Sequence, residues 1–238
     1  DSMLHVQNMV LDNCLSTIKH ETIYYPNKIK QIVGQLNTQS LSEKEEREGV
    51  ETMTELIEYY KGIFTILSSC ASRQLEEVTF RRTVIPVQEL FDAAGKYFRK
   101  VMKNRTERIE LEMEPMEARV IGDVNQLRFL LENLIDEALT FREDGVLRLQ
   151  VCRDDEYIRF LFTDTRREKS VEELNQLFYP NLARMTSGEK GELRGTEYLV
   201  CKQIIRDHDE FAGRRGCRIN AEPAAGGGFT VYFTVPRR

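Results

Sequence analysis

Apolar side chains in the first seventy residues recur every seven positions, the period of long helices packed along their length. Leu4, Leu11, Ile18, Tyr25 and Ile32 form one row over residues 3–37, with Leu15, Thr22, Ile29 and Leu36 beside it. Pro26 falls inside the pattern and predicts a kink. Ser42-Glu43-Lys44-Glu45 has the form of a capping box opening a second helix. There Val50, Met53, Ile57, Tyr60, Phe64, Leu67 and Ala71 follow three- and four-residue steps. Each helix would be about 50 Å long. Two alone leave apolar stripe uncovered, so the hairpin is expected to complete a four-helix bundle in a homodimer. The alternative is a hairpin packed on the rest of its own chain.

From about residue 80 short β-type runs and helical patterns interleave. Strands are predicted at 83–86, 109–113 and 118–121, and a strongly apolar helix at 124–141. Residues 146–152 and 157–163 alternate around Asp154-Asp155-Glu156 as a hairpin, and a second hairpin spans 217–221 and 229–235. Helices are expected at 87–103, 171–178 and 197–207, with a polar loop at 187–195. The expected fold class is therefore α+β: an antiparallel helical hairpin over residues 1–80, then an α/β sandwich over 81–238.

Composition removes several function classes. Lys and Arg total 34 against 39 Asp and Glu, a net charge of −5, which gives no reason to expect nucleic-acid binding. The five cysteines contain no C-x-x-C pair, which argues against a disulfide framework or zinc cluster and fits the cytoplasm. No run reaches the ~18 apolar residues of a membrane span, and no signal peptide is present. The chain opens at Asp1 rather than Met, so it reads as a fragment compatible with an upstream sensor or membrane region. With only His5, His20 and His208, a three-histidine metal site is excluded in practice.

His20 falls two positions past the core row of the first helix, on its exposed flank, and Glu21 follows it. One imidazole nitrogen there can attack phosphorus while the carboxylate accepts the proton from the other. The bland reading is a surface histidine on a charged helix. Downstream stand Gly122-Asp123-Val124-Asn125-Gln126-Leu127, Leu131-Glu132-Asn133-Leu134-Ile135-Asp136-Glu137-Ala138, Phe162-Thr163-Asp164, Leu177-Phe178, Gly195-Thr196 and Gly226-Gly227-Gly228-Phe229. In that order, behind an HE-plus-proline hairpin, they resemble sensor histidine kinases of two-component systems. The hairpin is similar to their dimerisation and phosphoacceptor domain, and residues 81–238 to their GHKL-type ATP-binding domain.

The resemblance implies His20 and Glu21 as catalytic residues, and Asn133, Glu137, Asp164, Gly195 and Thr196 as cofactor-binding residues for ATP and Mg2+. Asp164 would read adenine and Glu137 would hold the metal. It also implies a homodimer, a response-regulator receiver domain as partner, and the kinase core of a cytoplasmic sensor that phosphorylates His20 and relays the phosphate to an aspartate. Several positions depart from the pattern. Glu137 stands where the family uses Asn, and Arg166 and Glu168 replace two glycines. One glycine, Gly195, remains in the last box. Pro26 follows His20 by six residues rather than five, and Tyr24 stands where a Thr or Asn aligns the phosphatase water. These departures support the alternative of an ATP-independent histidine phosphotransferase, or pseudokinase, whose degenerate domain docks the receiver. His208 reads as structural or solvated and His5 as solvated. Arg166-Arg167 and Arg214-Arg215 read as solvated charge, and the cysteines as small core residues.

Overall fold

The computed structural model describes residues 2–21, 24–37, 42–71, 80–181, 186–187 and 193–238. They fall into two compact units. One comprises Asn8–Leu75 and Pro180–Thr196; the other comprises Asp1–Gln7, Glu76–Tyr179 and Glu197–Arg238.

The helical unit is built on α1 (Ser2–Glu21) from Asn8 onward, α2 (Tyr24–Leu36) and α3 (Glu43–Ala71), with α2 packed against α3. The predicted single helix over 3–37 is thus present as α1 and α2, and residues 22–23 lie outside the described residues. The capping box forms as expected: the Ser42 N–H donates to Glu45 Oε2 at 2.8 Å, and the Glu45 N–H to Ser42 Oγ at 3.4 Å. The Ser42 hydroxyl, followed by its backbone N–H, holds the Glu45 carboxyl below its usual range. The buried row of α3 differs from the predicted one. Leu56 and Tyr59 are buried, whereas Val50 and Ile57 are 61% and 54% exposed. Within one chain the predicted row is therefore left partly open, with α2 packed against α3. Two short strands, β6 (Thr186–Ser187) and β7 (Leu193–Arg194), pair antiparallel and lie against α3. The remainder of the predicted polar loop, 188–192, lies outside the described residues.

The second unit holds a five-stranded mixed sheet, ordered β2 (Ile109–Glu114), β4 (Gly145–Asp154), β5 (Tyr157–Asp164), β9 (Phe229–Pro236) and β8 (Ile219–Pro223). Only β2 and β4 run parallel. Alternation decides the faces: Leu147, Leu149, Ile158, Phe160 and Phe162 point into the core. Phe160 stacks on Phe233 with ring centroids 4.9 Å apart. On the opposite face Arg148 and Gln150 of β4 bond Glu112 and Glu114 of β2 at 2.9 and 2.8 Å. The β4–β5 turn places Asp155 at φ +53°, as a two-residue hairpin requires.

A layer of three helices forms on this unit, with α5 (Val124–Leu139) between α4 (Val87–Met102) and α7 (Glu197–Phe211). The central position explains why α5 is so apolar, since it buries surface on several sides. A separate ribbon pairs β1 (Thr83–Pro86) with β3 (Arg119–Gly122), and α6 (Val171–Gln176) is capped by Ser170 and Glu173.

One polar residue pins the start of α5. Asp123 is its N-cap, accepting the N–H groups of Asn125 and Gln126 on Oδ1 at 3.0 and 3.1 Å and that of Arg81 on Oδ2 at 2.9 Å. The Asp123 N–H in turn donates to Nε2 of His208 at 3.1 Å, while His208 Nδ1–H donates to the Ile204 carbonyl at 2.7 Å. A Cβ on Gly122 would meet the His208 ring at 2.7 Å, which is the physical reason for glycine there. His208 is therefore structural, held neutral by burial at a pKa lowered to about 4.

His208 makes stability pH-dependent in a definite direction. The unfolded chain protonates this ring near pH 6.5 and the folded one near 4, so its contribution is complete above pH 6.5 and is lost as pH falls toward 4. The loss across that window is about 3 kcal/mol. Denaturant unfolding at stepped pH checks it: His208→Gln is expected to be less stable at pH 7.5 and flatter between pH 6.5 and 4.

Candidate functional site

The segment after β5 reads Asp164-Thr165-Arg166-Arg167-Glu168, and each residue is fixed by a specific bond. Thr165 turns back to β4, its N–H and hydroxyl both reaching the Val146 carbonyl, at 3.2 and 2.7 Å. Asp164 makes the tight turn by accepting the Arg166 N–H at 3.0 Å. The Arg166 side chain then folds back over it. Nε donates to Asp164 Oδ1 and Nη2 to Oδ2, each at 2.9 Å. Nη2 also donates to the Ala138 carbonyl at 2.6 Å, and Nη1 to the carbonyls of Phe141 and Glu143 at 3.1 Å. A guanidinium has five N–H donors, and all five are used. Both side chains are 2% exposed. Three of the acceptors are carbonyls at and beyond the C-terminus of α5, where the helix leaves carbonyls unpaired and favours a cation.

Arg167 completes the cluster. Its Nε donates to Asp164 Oδ2 at 3.1 Å and its Nη1 stands 3.8 Å from Glu137 Oε1. Its guanidinium lies over the rings of Phe141 and Phe229 at 5.4 and 5.5 Å. Glu168, the second residue in place of a glycine, accepts the Gly228 N–H at 2.9 Å. Gly228 has φ +78°, and a Cβ there would lie 2.0 Å from the Asp164 carbonyl oxygen, so the closing hairpin can approach this turn only through glycine. Tyr198 of α7 stands edge-on to Phe178 at 5.8 Å. Burial, then the nearby Glu137 charge, raises its phenol pKa well above the usual value.

Of the expected site residues, Glu137 and Asp164 come together, joined through Arg167. Asn133, one turn before Glu137, is buried and spends its Nδ2 on the Phe129 carbonyl of its own helix at 2.8 Å. Gly195, with φ +81°, and buried Thr196 belong to the helical unit. His20 and Glu21 end α1, and their side chains lie outside the described residues. The reading of Arg166-Arg167 as solvated charge is overturned, because a turn only two residues long closes both arginines onto Asp164. Arg214 and Arg215 are exposed and pair with Glu156 and Asp209. His5 is half-buried, 3.9 Å from Asp207. Cys14 and Cys201 are core residues, but Cys152 is exposed.

Adenine and magnesium do not fit this arrangement. Both Asp164 oxygens carry arginine bonds, so the carboxylate has no free direction toward an amino group. Glu137, the expected metal ligand, faces a guanidinium. Among the described residues no group of three His, Cys, Asp or Glu side chains is placed to hold a metal ion. The role of Arg166 was legible only in its replacing a glycine. Its partners at 138, 141 and 143 carry no sequence signal.

Residues 122–238 match the family described as histidine kinase-, DNA gyrase B-, and HSP90-like ATPases. Among solved structures, the catalytic domain of histidine kinase ThkA is similar at 20% identity and a TM-score of 0.51, covering 67% of this chain and 98% of its own. That likeness shows the fold. An Acinetobacter baumannii histidine kinase, AdeS, aligns over 91% of this chain and 97% of its own at 13% identity and a TM-score of 0.49. The mycobacterial sensor histidine kinase MprB aligns over 67% and 99% at 17% identity and a TM-score of 0.48. No curated protein matches the chain.

Removing Arg166 leaves Asp164 under-paired and takes a donor from three carbonyls, of which Ala138 keeps the Phe141 N–H. Arg166→Ala is expected to cost about 3–5 kcal/mol in chemical denaturation. Arg166→Ala/Asp164→Ala is expected to lose clearly less than the two single changes added together. An additive double variant would show that the two side chains are not coupled.

Proposed function

We propose, since residues 122–238 of this chain belong to the histidine kinase-, DNA gyrase B- and HSP90-like ATPase family, that it is the phosphorelay core of a cytoplasmic two-component sensor in which His20 exchanges phosphate with a receiver-domain aspartate and ATP takes no part. The observation that carries the ATP-independent reading is the saturation of Asp164 by Arg166 and Arg167.

The chemistry required of this chain is small. A ring nitrogen of His20 attacks the phosphorus of an aspartyl phosphate, the P–O bond to the aspartate breaks, and the carboxylate leaves as an anion. Glu21 takes the proton from the other ring nitrogen, so that the phosphohistidine need not carry an added charge. The second unit then serves as a folded platform for the partner.

Dimerisation belongs to the same reading. Val50 and Ile57 on α3 and Val33 on α2 are exposed, with Val33 at 43%, and a second hairpin would cover them. Among the described residues no helix is long and apolar enough to cross a membrane.

The kinase reading, with ATP and Mg2+ loading His20 directly through Asp164 and Glu137, has family membership in its favour. It requires both arginines to leave those carboxylates. Two donors separate the readings: receiver domains charged with labelled acetyl phosphate, and labelled ATP with magnesium. Label is expected to pass from the receiver to the wild-type chain and not to His20→Ala, with none arriving from ATP and no ATP-induced rise in Tm. Label from ATP that disappears in His20→Ala would establish the kinase instead. No label from either donor would leave a scaffold.

A further inference from the structure

The β1–β3 ribbon has a buried face and an open one. Ile85 and Val120 point inward and are 1% and 0% exposed. By the two-residue alternation the opposite face carries Val84 and Pro86 of β1 with Ile121 and Arg119 of β3, and the register sets Val84 beside Ile121 and Pro86 beside Arg119. Val84 is 43% exposed and Arg119 is exposed. Arg82, just before β1, shares the side of Val84 and lies over Gly213, where a Cβ would meet its Cζ at 2.7 Å. At the far edge the bridge between Val120 and Arg237 places Arg238 opposite Arg119, and the Arg238 N–H donates to the Arg119 carbonyl at 3.1 Å.

The outcome is an aliphatic centre of Val84, Pro86 and Ile121 rimmed by Arg82, Arg119 and Arg238. Among the described residues none of these three arginines has an ion pair, although the chain as a whole carries a net charge of −5. One exposed acidic residue, Glu117, lies two positions before Arg119, so arginine outnumbers acid at this edge. Its chemistry is also selective: residues 80–86, 117–123, 211–218 and 236–238 contain arginines and no lysine. Lysine serves a general attraction to anions as well as arginine does. Arginine is the better choice where a planar fork grips a carboxylate with two bonds beside apolar contact. Arginine is enriched at protein interfaces, whereas a surface for nucleic-acid phosphate has no use for the aliphatic centre.

We propose that this outward face of the β1–β3 ribbon is a docking surface for an acidic segment of a protein partner, one that alternates carboxylate and aliphatic side chains. The carboxylates engage Arg82, Arg119 and Arg238, and the aliphatic groups cover Val84 and Ile121. This surface does not depend on which donor loads His20.

A fluorescent peptide of alternating glutamate and leucine, titrated into the full chain and read by anisotropy, tests it. Binding is expected to weaken at least tenfold in Arg82→Glu/Arg119→Glu and in Val84→Asp, all at exposed positions and checked for unchanged melting. Arg148→Glu, on the outer face of β4, is expected to bind like the wild type. Absence of binding to the wild type would overturn the proposal. So would equal weakening by Arg148→Glu, which would reduce the effect to overall charge. Full binding by Val84→Asp, or displacement of the peptide by single-stranded DNA at matched charge, would also overturn it.

Discussion

The two charges of Arg166 and Asp164 are almost wholly out of water, and the second unit is arranged around how they are satisfied. A buried pair of this kind stabilises only if the remaining donors and acceptors are also bonded. Here the last turn of α5 and the chain beyond it supply the missing acceptors, and the Arg166 backbone and Arg167 supply further donors. The end of α5, the end of β5 and the β5–α6 connection are thereby held by one guanidinium. Glu168 extends the same anchoring to the glycine turn before β9. This turn is thus ordered by the chain's own side chains.

The opposite end of α5 is held by a different kind of bond. Asp123 and His208 use neutral or capping interactions that tie the helix start to α7 and to Arg81, two residues before β1. The central helix is thus fastened at both termini, by a cap that loses strength in acid and by an ion pair that does not involve histidine. Its middle is held mainly by apolar packing, with Leu127, Leu130, Leu131 and Leu134 buried almost completely, beside bonds from Arg128 to Glu89 and from Tyr97 to Asp136.

What could be read in advance depended on whether the relevant partners lie near one another in the chain. Ser42 with Glu45, Asp123 before α5, and the Asp154–Tyr157 hairpin are local arrangements, and each was legible from a few adjacent residues. The alternation of β4 and β5 was equally plain, because one face is buried. The α3 row at Val50 and Ile57 stays open within one chain: a seven-residue apolar pattern identifies every stripe that avoids water, including one that a single chain does not cover. Arg166 and Arg167 were misread for the converse reason. The further partners of Arg166 lie some 25 residues upstream on carbonyls, which every residue possesses and no side-chain pattern advertises, and Arg167 reaches Glu137 thirty residues back.

The saturated arginine has a consequence for descent. In a site built around nucleotide, Asp164 would face the ligand and small residues would follow it. To reach one from the present arrangement, Arg166 would have to go while Asp164 stays, leaving a buried carboxylate without its main partner, and glycine at 168 would release Gly228 as well. Loss of Arg167 would still leave Arg166 in place. No single substitution frees Asp164 from both arginines, so the pairing acts as a ratchet against opening this turn to a ligand.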